Sequence, residues 1–401
     1  MQTRFPATTL ATASGQEAND IVRRCVHCGF CNATCPTFAL TGNELEGPRG
    51  RIYLIKSLLE GEAVSGATLT HLDHCLGCRA CETTCPSGVA FHRLADIGRE
   101  TLHGRAVRPR RDRWKRGLLA RFFDRSLPFR SLVGLGRLFR PLLPMRLRRQ
   151  MPPSGGARAR ESGRVGYVML QQGCAQPVLA PATNDAAARV LARRGFGARD
   201  ASGCCGALAY HLGDVTRARN QIRRNIDAWI PGVRGSQGLV VTASGCAAFI
   251  RDYPSLCRGD SVYEDRAAEL AAATRDVADF LTPVAADTPP LALHLPCTLR
   301  HAIHGADRLR ALLLDSGWTL VETADDGQCC GSAGAYSLLY PETSRALGTK
   351  KVAQLSSCGP ARIVTANIGC QMHLAARSPI PVQHWVEVWD ELEAGAARSG
   401  D

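Results

Sequence analysis

Eighteen of the 401 residues are cysteine, several times the usual share, and their positions are patterned. Eight stand in two runs: Cys25, Cys28, Cys31 and Cys35 before Pro36, then Cys75, Cys78, Cys81 and Cys85 before Pro86. Both read C-x2-C-x2-C-x3-C-P, and they start 50 residues apart. This spacing lets three thiolates wrap one cube of iron and sulfide while amides of the tight loop hydrogen-bond the sulfurs. In two-cluster ferredoxins the fourth cysteine of each run ligates the other cube. The expected sets are therefore Cys25, Cys28, Cys31 and Cys85 for one [4Fe–4S] cluster, and Cys75, Cys78, Cys81 and Cys35 for the second. Zinc is the competing chemistry, but zinc sites take separated C-x2-C pairs, four ligands at a time.

A second repeat occupies the C-terminal half. Cys174, the pair Cys204 and Cys205, and Cys246 are matched by Cys297, the pair Cys329 and Cys330, and Cys370, at offsets of 123 to 125 residues. Adjacent thiolates do not both point easily at one tetrahedral ion. They suit a polynuclear cluster or a redox pair, and Gly206 and Gly331 after each pair allow close backbone approach. Metal ligation, a redox pair and simple burial of small apolar side chains are the readings open for these eight. Cys257 and Cys358 have no repeat partner and are expected to be buried and inert. His294 and His301 beside Cys297, and His211 beside the first pair, are candidate ligands or proton carriers, with a surface histidine as the alternative. No side chain is assigned a catalytic role.

The elements that must position these residues follow from periodicity. GPRGRIYLIKSLLEGE, between the two runs, reads as a turn and an amphipathic helix with Ile52, Ile55, Leu58 and Leu59 on one face, placed to cover the clusters. Each C-terminal half opens with an apolar strand (VGYVMLQQGC; LALHLPC), continues as a helix (AAARVLARRGF; ADRLRALLLDSGW) and returns to a strand ending in Gly-Cys (GLVVTASGC; ARIVTANIGC). This alternation predicts α/β units around parallel sheets, with cysteines at strand ends, where such sheets place their sites. The expected fold class is multidomain α+β and α/β. It comprises a helical ferredoxin-like two-cluster module over 15–103, a basic amphipathic connector over 104–163, and two related α/β lobes over 164–286 and 287–395.

Charge and hydropathy narrow the function classes. From Arg105 to Arg149 there are 15 Lys/Arg against Asp112 and Asp124, so this stretch alone carries the whole net charge of +13. LLARFF, LVGLGRLF and PLLPMRLRRQ interleave Leu and Phe with Arg, and MPPSGGARARESG follows as a linker. A docking face for an acidic partner or anionic membrane surface, a nucleic-acid contact and a solvated connector compete for this segment. No nucleic-acid module pattern is present, and no nucleic-acid partner is expected. The start lacks the apolar core of a signal peptide, which favours the cytoplasm, and no stretch has the roughly 20 apolar residues of a membrane span. Nor is there a Rossmann fingerprint, Walker motif or nucleophile elbow, so a flavin is expected on partner subunits only.

SGCCGALAYHLGD and GQCCGSAGAYSLLYPE, each followed about 40 residues later by Gly-Cys, resemble the cysteine-rich CCG domain of heterodisulfide reductases and of iron–sulfur subunits of flavin-linked dehydrogenases. The family pattern ends in C-x2-C, whereas Phe249 and His373 stand at that last position, leaving four cysteines per lobe for a further cluster, a zinc or a redox pair. From about residue 20 to 395 the order of motifs is similar to the glycolate oxidase iron–sulfur subunit family, most closely in RCVHCGFCNATCPTFALTGNELEGPRGRIYLIK, HCLGCRACETTCPSGV and CCGSAGAYSLLYPETSRALGTKK. The resemblance implies an electron-transfer subunit of an oxidoreductase complex that takes electrons from flavin-binding subunits oxidising glycolate to glyoxylate. A quinone-type acceptor would receive them, at the cytoplasmic face of the inner membrane. D-lactate and glycerol-3-phosphate dehydrogenase complexes share this architecture. Two further classes are a self-contained disulfide reductase of the heterodisulfide-reductase kind and an iron or redox sensor.

Overall fold

A computed structural model describes residues 1–104, 108–124, 164–284, 288–321, 323 and 327–399. The linker MPPSGGARARESG and the apolar–basic runs after Asp124 lie outside the described residues. The chain forms two compact units, one of Met1–Gly117 with Gly327–Gly348, the other of Leu118–Asp326 with Thr349–Asp401.

The first unit is helical. Ala13–Arg24, Pro48–Leu59 and Phe91–Gly104 surround a core that includes Val22, Ile52, Ile55, Leu58, Leu59 and Leu94. Pro48–Leu59 buries the four apolar residues predicted for its inner face, each contributing about 1.5–3 kcal/mol of transfer energy. Phe91–Gly104 approaches it closely at Gly98, where a Cβ would stand 2.9 Å from Ile55 Cγ1. The Thr12 hydroxyl caps Ala13–Arg24 by accepting from the Gly15 N–H at 3.0 Å. Phe30–Ala33 and Ala80–Thr83 are single turns that carry the two cysteine runs.

In the second unit, strands β1 (Gly166–Gln171), β2 (Phe196–Ala201), β3 (Leu239–Val240) and β4 (Thr274–Arg275) form one parallel sheet, ordered β2-β1-β3-β4. Strands β5 (Leu291–His294), β6 (Leu320–Val321), β7 (Arg362–Thr365) and β8 (Val382–His384) form another, ordered β6-β5-β7-β8. The 123-to-125-residue repeat is thus a repeat of sheet topology, and the strands and helices expected in each half are present. The lobes join where their β3 and β7 loops meet: the Ser244 N–H donates to Ala366 O at 3.2 Å and the Gly245 N–H to Asn367 Oδ1 at 3.3 Å. His384 is buried and its pKa is lowered to about 4 by that burial. The neutral ring donates from Nε2 to Thr242 O at 2.9 Å and accepts the Val386 N–H at Nδ1. Arg189 and Arg193, on Pro181–Arg193, clasp Asp390 of the last helix, Trp385–Ser399.

Candidate metal centres

The two cysteine runs repeat in backbone conformation as well as in sequence. His27 and Gly77 have φ of 60° and 65°, and Gly29 and Arg79 have 86° and 60°, each pair 50 residues apart. These left-handed residues curl each loop before its helical turn and bring the spaced cysteines to one side. The turns meet at Thr34 and Thr84, whose hydroxyls are 3.3 Å apart, and Thr34 also donates to Ala80 O at 3.1 Å. Burial pushes the Cys31 thiol up to about 11, with Cys25, Cys85 and Cys28 acting in the same direction. Burial also raises Cys81 well above the ordinary thiol value, helped by Cys78, Cys75, Glu82 and Cys35. Each run's third cysteine therefore senses the fourth cysteine of the other run. Cys25, Cys28, Cys31 and Cys85 line one cavity together with Cys81 of the second run. Four clustered thiols are the donor set that an iron–sulfur cluster satisfies and that releases protons on loading.

Next to Cys35 lies a buried polar network that the sequence reading did not single out. Arg51 donates from Nη2 to Glu46 Oε2 at 2.8 Å, from Nε to His71 O at 2.7 Å and from Nη1 to Thr37 Oγ1 at 3.1 Å. Its Nη1 is 3.9 Å from Cys35 Sγ. Glu46 Oε1 is bonded to Nδ1 of both His71 and His74, at 2.7 and 2.8 Å. Burial would raise the Glu46 pKa, but His74, His71 and Arg51 together hold it below the usual carboxylate value. The signal available in the sequence was GPRGR: Gly50, whose Cβ would stand 2.3 Å from Glu44 O, lets the helix start press against the Glu44–Glu46 turn.

In the first lobe the repeated cysteines come together beyond the C-terminal ends of β1, β2 and β3. Cys205 Sγ is 3.4 Å from Cys246 Sγ, Cys204 is hydrogen-bonded to Cys174, and all four thiols interact. The Cys204 hydrogen bond, then burial, raise Cys174 well above the ordinary thiol value. The Cys-Cys loop is held by its carbonyls: Trp229 Nε1 donates to Ser202 O at 2.9 Å, Asn225 Nδ2 to Cys204 O at 2.8 Å and Tyr253 Oη to Cys205 O at 2.6 Å. Cys246 lies in the first turn of Ser244–Arg251. Phe249, standing where the family pattern has its last cysteine, is buried among Tyr210, His211 and Tyr253.

In the second lobe Cys370 holds the equivalent place in Ile368–Ala375, and Asn367 Nδ2 donates to its Sγ at 3.5 Å. His294, at the end of β5, lies within 4.8 Å of Cys370 Sγ, fully buried with neither ring nitrogen hydrogen-bonded among the described residues. Its pKa is lowered to about 3, first by burial and then by Lys351 and Arg300. The surface alternative therefore does not hold for His294. Cys297 is half-buried, and Cys329 and Cys330 are buried in the segment that belongs to the first compact unit. Gly331 has φ +87°, and a Cβ there would stand 2.8 Å from Leu347 Cβ. His301 is half-buried and His211 exposed. Cys257 is buried as expected, but Cys358 is exposed, because the turn after Pro341–Ser356 leaves it in solvent.

The described start of the basic segment is not uniformly solvated. Arg108 and Arg116 converge on buried Asp73, and Arg116 Nη2 also donates to Tyr340 Oη at 2.9 Å. Burial would raise the Asp73 pKa, but Arg108 and Arg116 hold it below the usual value. Trp114, on the same helix Arg110–Asp124, is exposed. Among the described residues no helix is long and apolar enough to cross a membrane.

Paired ferredoxin-type runs on a helical unit, followed by two parallel-sheet lobes with cysteines at their strand ends, define an iron–sulfur protein of the dicluster and CCG type. Residues 21–89 match the 4Fe-4S dicluster domain, and residues 168–251 and 291–375 each match the cysteine-rich CCG domain. The glycolate oxidase iron–sulfur subunit of Escherichia coli K12 is 43% identical over 98% of this chain and 99% of its own length. A probable glycolate oxidase iron–sulfur subunit of Bacillus subtilis is 28% identical over 87% of each chain. Lactate utilization protein A of Geobacillus thermodenitrificans is 30% identical over 47% of this chain and 83% of its own. The chain belongs to the glycolate oxidase iron–sulfur subunit family.

Proposed function

We propose that this chain relays electrons within a glycolate-oxidising complex, from flavin-binding subunits to a quinone-type acceptor. The observation that carries the reading is the clustering of the two cysteine runs in the helical unit, where Cys31 interacts with Cys85 and Cys81 with Cys35, which supports two crossed sets of four. Cys25, Cys28, Cys31 and Cys85 would hold one [4Fe–4S] cluster, and Cys75, Cys78, Cys81 and Cys35 the other. Bound clusters supply one-electron chemistry that can split the electron pair delivered by a flavin. The chain itself provides thiolates, a dry surround and a route to the surface. Cys28 is exposed between Val26 and Phe30, themselves 68% and 60% exposed, beside exposed Arg23 and Arg24, so this face suits a partner subunit with acidic groups at its rim.

The first-lobe thiols Cys174, Cys204, Cys205 and Cys246 are a donor set for a further cluster or a zinc. Cys297, Cys329, Cys330 and Cys370 are assigned to the same chemistry by the repeat. Without a membrane-spanning helix in the described part, the complex would meet the membrane peripherally, at its cytoplasmic face, with the basic segment as the contact. Likeness to lactate utilization proteins over less than half of the chain supports lactate as the substrate of the second reading. The deciding experiment compares quinone-analogue reduction with glycolate, D-lactate and glycerol-3-phosphate in extracts with and without the gene. Selective loss with glycolate is expected. Selective loss with another substrate would move the assignment, and no loss with any would overturn the relay.

A further inference from the structure

The two cysteine runs are related by a 50-residue repeat, yet their fourth cysteines differ in electrostatic setting. Cys85 Sγ accepts from the Val89 backbone N–H at 3.5 Å, a neutral donor. Its counterpart Cys35 has Thr37 Oγ1 at 3.3 Å and the Arg51 guanidinium at 3.9 Å. Arg51 is only 1% exposed, and its bonds to Glu46, His71 and Thr37 fix the guanidinium in place. Arginine keeps its charge at any working pH, and so far from water that charge is little screened. Near the first run, Arg49 is bonded to Glu44 as Arg51 is to Glu46, but its side chain is 36% exposed, so solvent weakens its field; the Met1 ammonium donates to the Cys25 carbonyl.

Reduction adds one negative charge to a cluster. A fixed cation shielded from solvent and closer to a ligand sulfur than its paired carboxylate stabilises the reduced form, and cluster potentials respond to net charge, hydrogen bonds to sulfur and exposure. We propose that Arg51 holds the cluster of Cys35, Cys75, Cys78 and Cys81 at a higher reduction potential than the cluster of the first run, making the second cluster the resting place of the electron. Arg51 is thus a positioning and tuning residue, and Glu46, of opposite charge, acts with opposite sign. This rests on the crossed ligand sets proposed above.

The test is a redox titration of the full chain followed by electron paramagnetic resonance. Cys28→Ser and Cys78→Ser backgrounds isolate the second and the first cluster respectively. Arg51→Gln should lower the reduced-to-oxidised ratio of the second cluster about ten-fold at fixed poise, about 59 mV for a one-electron couple. Glu46→Gln should raise the ratio, and Arg51→Lys, which keeps the charge, should stay close to the parent. If Arg51→Gln does not fold, the direction of the Glu46→Gln shift decides. An unchanged second cluster, or shifts of the same sign in Arg51→Gln and Glu46→Gln, would overturn the proposal. A shift confined to the Cys78→Ser background would instead overturn the crossed ligand sets while leaving Arg51 a tuning residue.

Discussion

At the scale of single residues, Cys35 and Cys85 separate crossed from uncrossed ligation. Cys35→Ser should remove the cluster of Cys75, Cys78 and Cys81 and leave the first run's cluster, lowering iron by about four atoms per chain. Iron analysis with electron paramagnetic resonance checks this, and loss of the first run's signal instead would contradict it. Gly331 is constrained by its φ of +87° and by the Leu347 and Ser344 contacts of a Cβ at 2.8 and 2.9 Å. Gly331→Ala should cost about 1–3 kcal/mol, read as a lower unfolding temperature of the full chain. The repeated cysteines were legible in sequence because spacing alone encodes their chemistry. Arg51 was not, and His294 was legible as a candidate ligand but not as a buried one. An arginine on an amphipathic helix reads as solvated, and nothing local to His294 announces that β5 ends in the core, with Cys370 brought near by β7, its neighbour in the sheet.

Among elements, Pro48–Leu59 was readable from its apolar period, and its packing defines a further test. Ile55 is fully buried against Gly98 of Phe91–Gly104. Ile55→Ala should destabilise the helical unit by about 2–5 kcal/mol through lost transfer energy and a residual cavity, measurable by denaturant titration. The helix Arg110–Asp124 was legible only as basic and amphipathic. That Arg108 and Arg116 turn inward depends on Asp73, an acid some 40 residues away in sequence that no local pattern links to them. Removing its charge leaves Asp112 as the one carboxylate still paired with both buried guanidiniums among the described residues, so Asp73→Asn should cost about 1–3 kcal/mol at neutral pH. The Asp73 pKa is depressed in the folded state, so its stabilisation is present above the unfolded value of about 3.9 and is lost as pH falls through the folded value. The gap between parent and variant should therefore close in acid. A constant gap from pH 7 to pH 3 would show that packing, not charge, is at stake.

For the whole molecule, the offsets of 123 to 125 residues were enough to foresee two equivalent parallel sheets. What they could not convey is that the first lobe gathers its four thiols within one compact unit, while Gly327–Gly348, carrying the second Cys-Cys pair, is compact with the N-terminal helices. A repeat in sequence records a shared ancestor of the chain's halves; the grouping of segments depends on long-range packing that the repeat does not encode. The central claim is that electrons from glycolate pass through this chain's clusters. It is tested most directly by adding glycolate anaerobically to the assembled complex, without acceptor, and following the clusters by electron paramagnetic resonance. The account predicts that cluster signals of the reduced form appear with glycolate and vanish when a quinone analogue is added. Reduced flavin with persistently oxidised clusters would contradict it.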